Sequence, residues 1–299
     1  MPTRSYVLVV NGRKVHQPVF VIGAPHSGAD LFVRALKRSS GFHITVGQPS
    51  VRSVVYAFAR APSIQHGRGE AAATVLRDAF AQAWRVTAES CLTCDAECQH
   101  ARSGASEGEV AEGTCVDERE ITRYGDATPA LMYCAEVLVE AFPDAKIVQV
   151  IRDGRDVVAA MLSDPAELAW FRPGLANVES EFPNPFFGTE SVADRDGWEE
   201  LSAAGKCAMR WRGCVHKMAR LRNSLTAEQL TTFRYEQVIA QPQAAASALA
   251  DFIEADIGKI EVPPRGKRGS GWRQLLSPAQ LADVERIAGQ ELRRVGYGA

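Results

Sequence analysis

Pro18 to Leu36 is the stretch that most restricts the fold. Val19-Phe20-Val21-Ile22 is an apolar run rich in β-branched residues, the composition of a strand buried on both faces. Gly23-Ala24-Pro25-His26-Ser27-Gly28 reads as a tight turn, and from Ala29 onward Leu31, Phe32, Ala35 and Leu36 recur at helical spacing. Strand, glycine-bracketed turn and helix is the geometry that points backbone N–H groups and a helix N-terminus at an anion. The glycines let a phosphate approach without a Cβ in the way. An ordinary strand–helix connection has the same outline, so this stretch alone leaves anion binding and plain chain reversal both open.

The rest of the chain repeats the alternation. Residues 6–17 read as an edge hairpin, 145–151 as a second buried strand and 231–235 as a third. Helices are expected over 29–38, 51–61, 70–90, 130–142, 155–162, 198–221, 242–253 and 278–295. Residues 43–66 carry no clean period beyond the helix at 51–61, 124–129 read as a loop, and 163–196 as a long loop of the kind that covers a site. Alternating strands and helices predict an α/β fold of three layers, αβα, with a central, mainly parallel sheet. The 299 residues are read as one domain, with a polar, cysteine-rich insertion at about 88–120.

Composition excludes more than it selects. A formal charge of −2 argues against a dominant role on nucleic acid or a membrane surface. No apolar run approaches the roughly 20 residues of a membrane span, and Tyr6–Val10 is too short for a signal-peptide core. Seven cysteines, an odd and uneven set, fit a reducing compartment, so a cytoplasmic protein is expected.

Arg152 follows the second buried strand directly, where ligands of parallel sheets sit. A guanidinium there calls for an anion. Asp153 is expected to cap the next helix with Asp156 as its reciprocal partner, and Arg155 and Asp156 to form a solvated first turn. Arg265, Lys267, Arg268 and Arg273 stand among the glycines Gly266, Gly269 and Gly271, which suits either a loop that closes over phosphates or a solvated linker.

Cys91-x2-Cys94-x3-Cys98, followed by His100 and Cys115, offers enough soft donors for a tetrahedral zinc site, with Cys91, Cys94, Cys98 and Cys115 the preferred four. A metal would let a segment too polar for a core fold; the alternative is a redox-labile loop or an oxidised pair. Cys134, Cys207 and Cys214 read as core, as do Met209, Trp211 and Met218 on the long basic helix. Lys206, Arg210, Arg212 and Lys217 read as its solvated face.

Taken together, FVIGAPHSGADLFVRAL, AKIVQVIRDGRDVVAAML, FRYEQVIAQPQAAASALADFI, RGKRGSGWRQLLSP and the terminal RRVGY resemble, in order, the motifs of bacterial-type sulfotransferases that use 3′-phosphoadenosine 5′-phosphosulfate (PAPS). The resemblance spans roughly residues 18–297 and implies a P-loop-like fold. It implies a 5′-phosphosulfate loop at Gly23, Ala24, Pro25, His26, Ser27, Gly28, Ala29 and Asp30. It also implies a 3′-phosphate segment at Arg152 and a closing basic loop at Arg265, Lys267, Arg268 and Gly269. Adenosine 3′,5′-bisphosphate (PAP) would be the product and a small molecule the acceptor. Asp126, in YGDATP, stands where many members carry a catalytic Glu, and a turn role suits it equally. His26 is the rival base.

The loop departs from the family pattern. His26 replaces an Arg or Lys, Ala29 and Asp30 replace paired hydroxyls, Ala127 replaces a Lys and Ala160 a Ser. A drifted, non-catalytic nucleotide-binding protein is therefore the alternative. A nucleotide kinase lacks its G-x-x-x-x-G-K-[ST] here. Glu236 reads as a structural hydrogen-bonding residue. Residues 43–66 and 163–196 are expected to form the acceptor pocket, with Trp170, Phe182, Phe186 and Phe187 hinting at an apolar acceptor.

Overall fold

The computed structural model describes residues 7–66, 70–91, 94, 98, 114–172, 181–262 and 271–298. Val19–Gly23 is the middle strand of the main sheet (β3), and all its residues are buried. Ahead of it, β1 (Val9–Val10) and β2 (Arg13–Lys14) form the expected hairpin, a separate antiparallel pair. The main sheet adds β4 (Phe42–Thr45), β5 (Arg123–Asp126), β6 (Lys146–Ile151) and β7 (Leu230–Arg234) in the order β4-β5-β3-β6-β7, every pair parallel. Helices α1 (Ala29–Lys37), α2 (Pro49–Arg60), α3 (Glu70–Ala83), α4 (Ala135–Ala141), α5 (Gly154–Leu162) and α6 (Pro165–Ala169) come in the first two thirds. They are followed by α7 (Ala203–Ser224), α8 (Tyr235–Ala240), α9 (Pro242–Ile253) and α10 (Pro278–Arg294).

Strand alternation divides the core in two. Val19, Val21, Val148 and Val150 face α1, α8 and α9, through Leu31, Phe32, Val238 and Leu249. Phe20, Ile22 and Ile147 face the opposite layer of α2, α3, α4, α5, α7 and α10. The chain is thus the three-layer α/β fold that its alternation predicts. On the second face Phe20, Phe80, Trp84 and Phe142 pack with ring centroids 5.0–6.1 Å apart. Each such burial stabilises by about 1.5–3 kcal/mol. The Trp84 indole N–H is satisfied by the Gly125 carbonyl at 2.9 Å.

Two strands of the sheet lie where the sequence shows no strand pattern: β5 overlaps the loop expected at 124–129, and β4 enters the stretch from 43 that carries no clean period. They are four residues each and carry His43, Thr45, Arg123 and Asp126, so neither shows an apolar run. Pro129 starts residues 129–134 as a 3₁₀ turn, so the helix expected from 130 begins only at Ala135. The long loop 163–196 contains α6 and a further short helix, Val192–Gly197, closed by a Ser191–Asp194 capping box.

The supposed solvated face of α7 is not solvated. Lys206, Arg210 and Lys217 are buried and Arg212 is half-buried, and they pair with Glu199, Glu167, Glu136 and Asp194 respectively. The helix lies between α5 and α10, so its long cationic stems pack as apolar surface while the heads reach carboxylates. Cys134, Cys207 and Cys214 are buried, as expected. Among the described residues no helix is long and apolar enough to cross a membrane.

Candidate active site

In a parallel sheet all strands end on the same edge, and here that edge carries the site. β3 runs into the 23–28 loop, β6 into Arg152, β7 into Tyr235, β5 into Asp126–Thr128 and β4 into Val46. The loop needs its glycines. A Cβ on Gly23 would stand 2.4 Å from the Ser27 hydroxyl and 2.5 Å from the Val150 carbonyl. Gly28 has φ +96°, and a Cβ there would meet the Tyr235 ring at 2.3 Å. The turn is closed by the Ser27 N–H on the Ala24 carbonyl at 3.1 Å. His26 holds a left-handed φ of 61°, unusual for a residue with a Cβ and typical of functional loops.

Two polar groups of the loop region are buried without a partner among the described residues: the Ser27 hydroxyl and the Arg152 Nε. Unpaired buried donors are costly unless a ligand meets them. Arg152 reaches back across the sheet edge, donating to the His26 carbonyl at 3.0 Å and stacking on Tyr235 at 4.3 Å. The first anion loop and Arg152 are therefore brought together, as their places in the sequence imply. A cleft of about 380 Å³ opens over residues 23–30 and is walled by Val46, Pro129, Asp164 and Glu167.

Arg152 stands on a rigid base. Asp153 caps α5 by accepting from the Arg155 N–H, and its carboxylate also takes the Arg155 guanidinium at 2.8 and 3.0 Å. Glu236 accepts the Asp153 N–H at 3.0 Å and the Tyr297 hydroxyl at 2.6 Å, the structural role expected of it. Arg155 is buried, stacked on Trp272 and bonded to the Tyr297 carbonyl, rather than solvated. Asp156 accepts the Trp272 N–H at 2.7 Å and is no capping partner of Asp153. The contacts of Arg155 and Asp156 with Trp272 and Tyr297 join segments more than a hundred residues apart, so first-turn rules could not supply them. Arg265, Lys267, Arg268 and Gly269 lie outside the described residues.

The remaining loop residues divide by charge. Asp30 turns along α1 to an ion pair with Arg34 at 2.9 Å. His26 Nε2 lies 3.2 Å from the Asp164 carboxylate, and Glu167 completes a cluster whose donor atoms all fall within 4.8 Å. Glu167 is in turn held by the buried Arg210. Asp164 and Glu167 escape sequence reasoning: Asp164 before Pro165 reads as a helix cap, which it also is.

Asp126 is placed beneath the cleft. It is 0% exposed, one oxygen accepting from Thr45 Oγ1 and the other from the Thr128 N–H, both at 2.7 Å. A catalytic-base role does not fit a carboxylate with no open face. Burial pushes its pKa up from 3.8 to about 6, against the pull of the Thr45 and Thr128 hydrogen bonds. The folded state thus holds this proton more tightly than the unfolded chain. Its contribution is full below pH 3.8 and is lost as pH rises through about 6. Asp126→Asn is therefore expected to raise stability at pH 7.5 by about 2–3 kcal/mol, with the gain shrinking towards pH 4. Urea unfolding at both pH values checks this, and a pH-independent effect contradicts it.

The aromatic residues of the long loop are mostly core. Phe186 and Phe187 are buried against Tyr133 and Trp198, Trp170 packs on Tyr56 and Phe186, and only Phe182 is exposed. The four cysteines stand at the far end of α1, beside Lys37.

Solved structures of similar outline include the sulfotransferase from Alicyclobacillus acidocaldarius (15% identity, 92% of this chain and 96% of that one, TM-score 0.45). Sulfotransferase STF9 from Mycobacterium avium (11%, 95% and 79%, 0.47) and mouse sulfotransferase SULT7A1 complexed with PAP (12%, 93% and 85%, 0.45) are others. No curated protein matches the chain. Residues 18–182, more than half of the chain and the part that holds β3, its loop and Arg152, match the model of the sulfotransferase family, and the chain belongs to that family.

Proposed function

We propose that the protein transfers a sulfuryl group from PAPS to a hydroxyl or amine of a small-molecule acceptor, a secondary metabolite, in the cytoplasm. The observation that carries this reading is the unpartnered Ser27 hydroxyl inside a glycine-bracketed loop, with Arg152 crossing to the same loop. These groups fit a phosphorylated nucleotide: the N-terminus of α1, Ser27 and the 23–28 backbone for the 5′ end, and Arg152 for the 3′-phosphate. When bound, PAPS supplies an activated sulfuryl group for in-line displacement.

The chain's own part is positioning and proton transfer. The Asp164 carboxylate 3.2 Å from His26 Nε2 favours a proton on that nitrogen, which leaves Nδ1 as the acceptor on the imidazole. As the acceptor oxygen or nitrogen bonds to sulfur, its proton passes to His26 Nδ1, and the leaving electron pair goes to the 5′-phosphate of PAP. Asp164 stabilises the imidazolium so formed. This arrangement supports His26, rather than Asp126, as the base.

Incubation with ³⁵S-labelled PAPS and a panel of phenols, alcohols and amines tests the reading. Label moves to an acceptor, and His26→Ala cuts the rate by about 10²-fold or more while PAP affinity changes little. A second reading has its own observation: Asp164 and Glu167 put two carboxylates beside His26, where the family pattern has a cation. If PAP binds but no label moves with any acceptor, the protein is a nucleotide-binding member without the reaction.

A further inference from the structure

The sulfotransferase reading makes no use of the cysteines at the far end of α1. The Sγ atoms of Cys91, Cys94 and Cys115 all lie within 4.8 Å of one another, with Cys91–Cys115 at 3.5 Å and Cys94–Cys115 at 3.9 Å. Cys98, outside that group of three, hydrogen bonds to both Cys94 and Cys115. None of the four is in a disulfide, whose sulfurs would lie about 2.05 Å apart. Sulfurs bound tetrahedrally to zinc at about 2.3 Å stand about 3.8 Å from each other along each edge. The two observed separations fall on either side of that value.

Two contacts around the cluster suit thiolates. The Cys115 backbone N–H points at Cys91 Sγ at 3.3 Å, the kind of N–H···S bond that orients a metal-bound sulfur. The Lys37 side chain reaches Cys98. Four thiolates around Zn²⁺ carry a net charge of −2, which a neighbouring ammonium offsets.

From this geometry we propose that Cys91, Cys94, Cys98 and Cys115 bind one structural Zn²⁺. The site is closed: four protein sulfurs fill the tetrahedron and leave no position for substrate. Each ligating thiol releases its proton to solvent and the metal keeps its oxidation state, so the step needs no oxidant or reductant. Cys91, buried, ends a short helix, Ala88–Cys91, and Cys115 lies 24 residues on. The ion would thus close the base of the insertion, and Lys37 would tie it to α1, the helix that begins at the 23–28 loop. The proposal does not depend on the reaction catalysed.

Elemental analysis of full-length protein, purified without chelator or added metal, tests it. About one zinc per chain is expected, falling below about a tenth in Cys94→Ser/Cys98→Ser. Because that variant could fail to fold, wild-type protein is also exchanged with Co²⁺. Intense thiolate-to-cobalt charge transfer with tetrahedral ligand-field bands is expected. Metal-free protein with reactive thiols, a disulfide within the four, iron in place of zinc, or a cobalt spectrum lacking sulfur ligands would each overturn the proposal.

Discussion

Arg152→Met is expected to weaken PAP binding by about 10- to 100-fold while moving the thermal midpoint by only a few degrees. Hydrogen bonds to charged groups contribute about 1.5–3 kcal/mol each, and Arg152 is a half-buried cation with its Nε unpartnered beside the 23–28 loop. Its structural duties are light: one bond to the His26 carbonyl and a stack on Tyr235, which a Met side chain partly keeps. Arg155, three residues along, is the control. It is buried and bound to Asp153, Tyr297 and Trp272, so Arg155→Met costs stability instead. Calorimetric titration of the two variants separates the roles. Equal PAP affinity in Arg152→Met and wild type contradicts the assignment of Arg152 to the nucleotide.

Arg210→Met carries the largest expected loss of stability, about 3–5 kcal/mol. Arg210 is 1% exposed and Glu167 17% exposed, so removing the cation strands a largely desolvated carboxylate next to Asp164. Arg210 also lies 4.2 Å over the Phe186 ring, so its removal loosens that core contact as well. Adding Glu167→Gln to Arg210→Met is expected to restore most of the loss, because the cost comes from the unpaired charge more than from the missing attraction. Urea unfolding of the two single variants and the double variant measures this. A double variant no more stable than Arg210→Met alone contradicts it.

The sheet's centre was legible because both strands are buried on both faces: Val19–Ile22 is apolar throughout, and Ala145–Ile151 is apolar at every position but Lys146 and Gln149. β4 and β5 were not, since His43, Thr45 and Asp126 are polar side chains enclosed within the fold, and enclosure leaves no mark on local pattern. The loop and Arg152 could be placed together because parallel strands end at one edge. The face of α7 misled for the opposite reason: Arg210 and Lys217 look solvated until Glu167 and Glu136 arrive from distant segments. Asp164 and Glu167 were hidden by the same distance, and with them the setting of His26. Asp126 was visible as chemistry but not as burial. The cysteines were the clearest local signal outside the loop, because their spacing alone puts several thiols within reach of one another.

The central claim is that the 23–28 loop and Arg152 form one nucleotide site. Thermal unfolding in the presence of PAP, with adenosine 5′-monophosphate as the control, tests it most directly. At a hundredfold excess over its Kd, PAP should stabilise the folded protein by about 2.7 kcal/mol, several degrees for a domain of this size. The monophosphate, with nothing for Arg152 to hold, should give much less. A midpoint that does not move with PAP, or moves equally with both nucleotides, contradicts the claim.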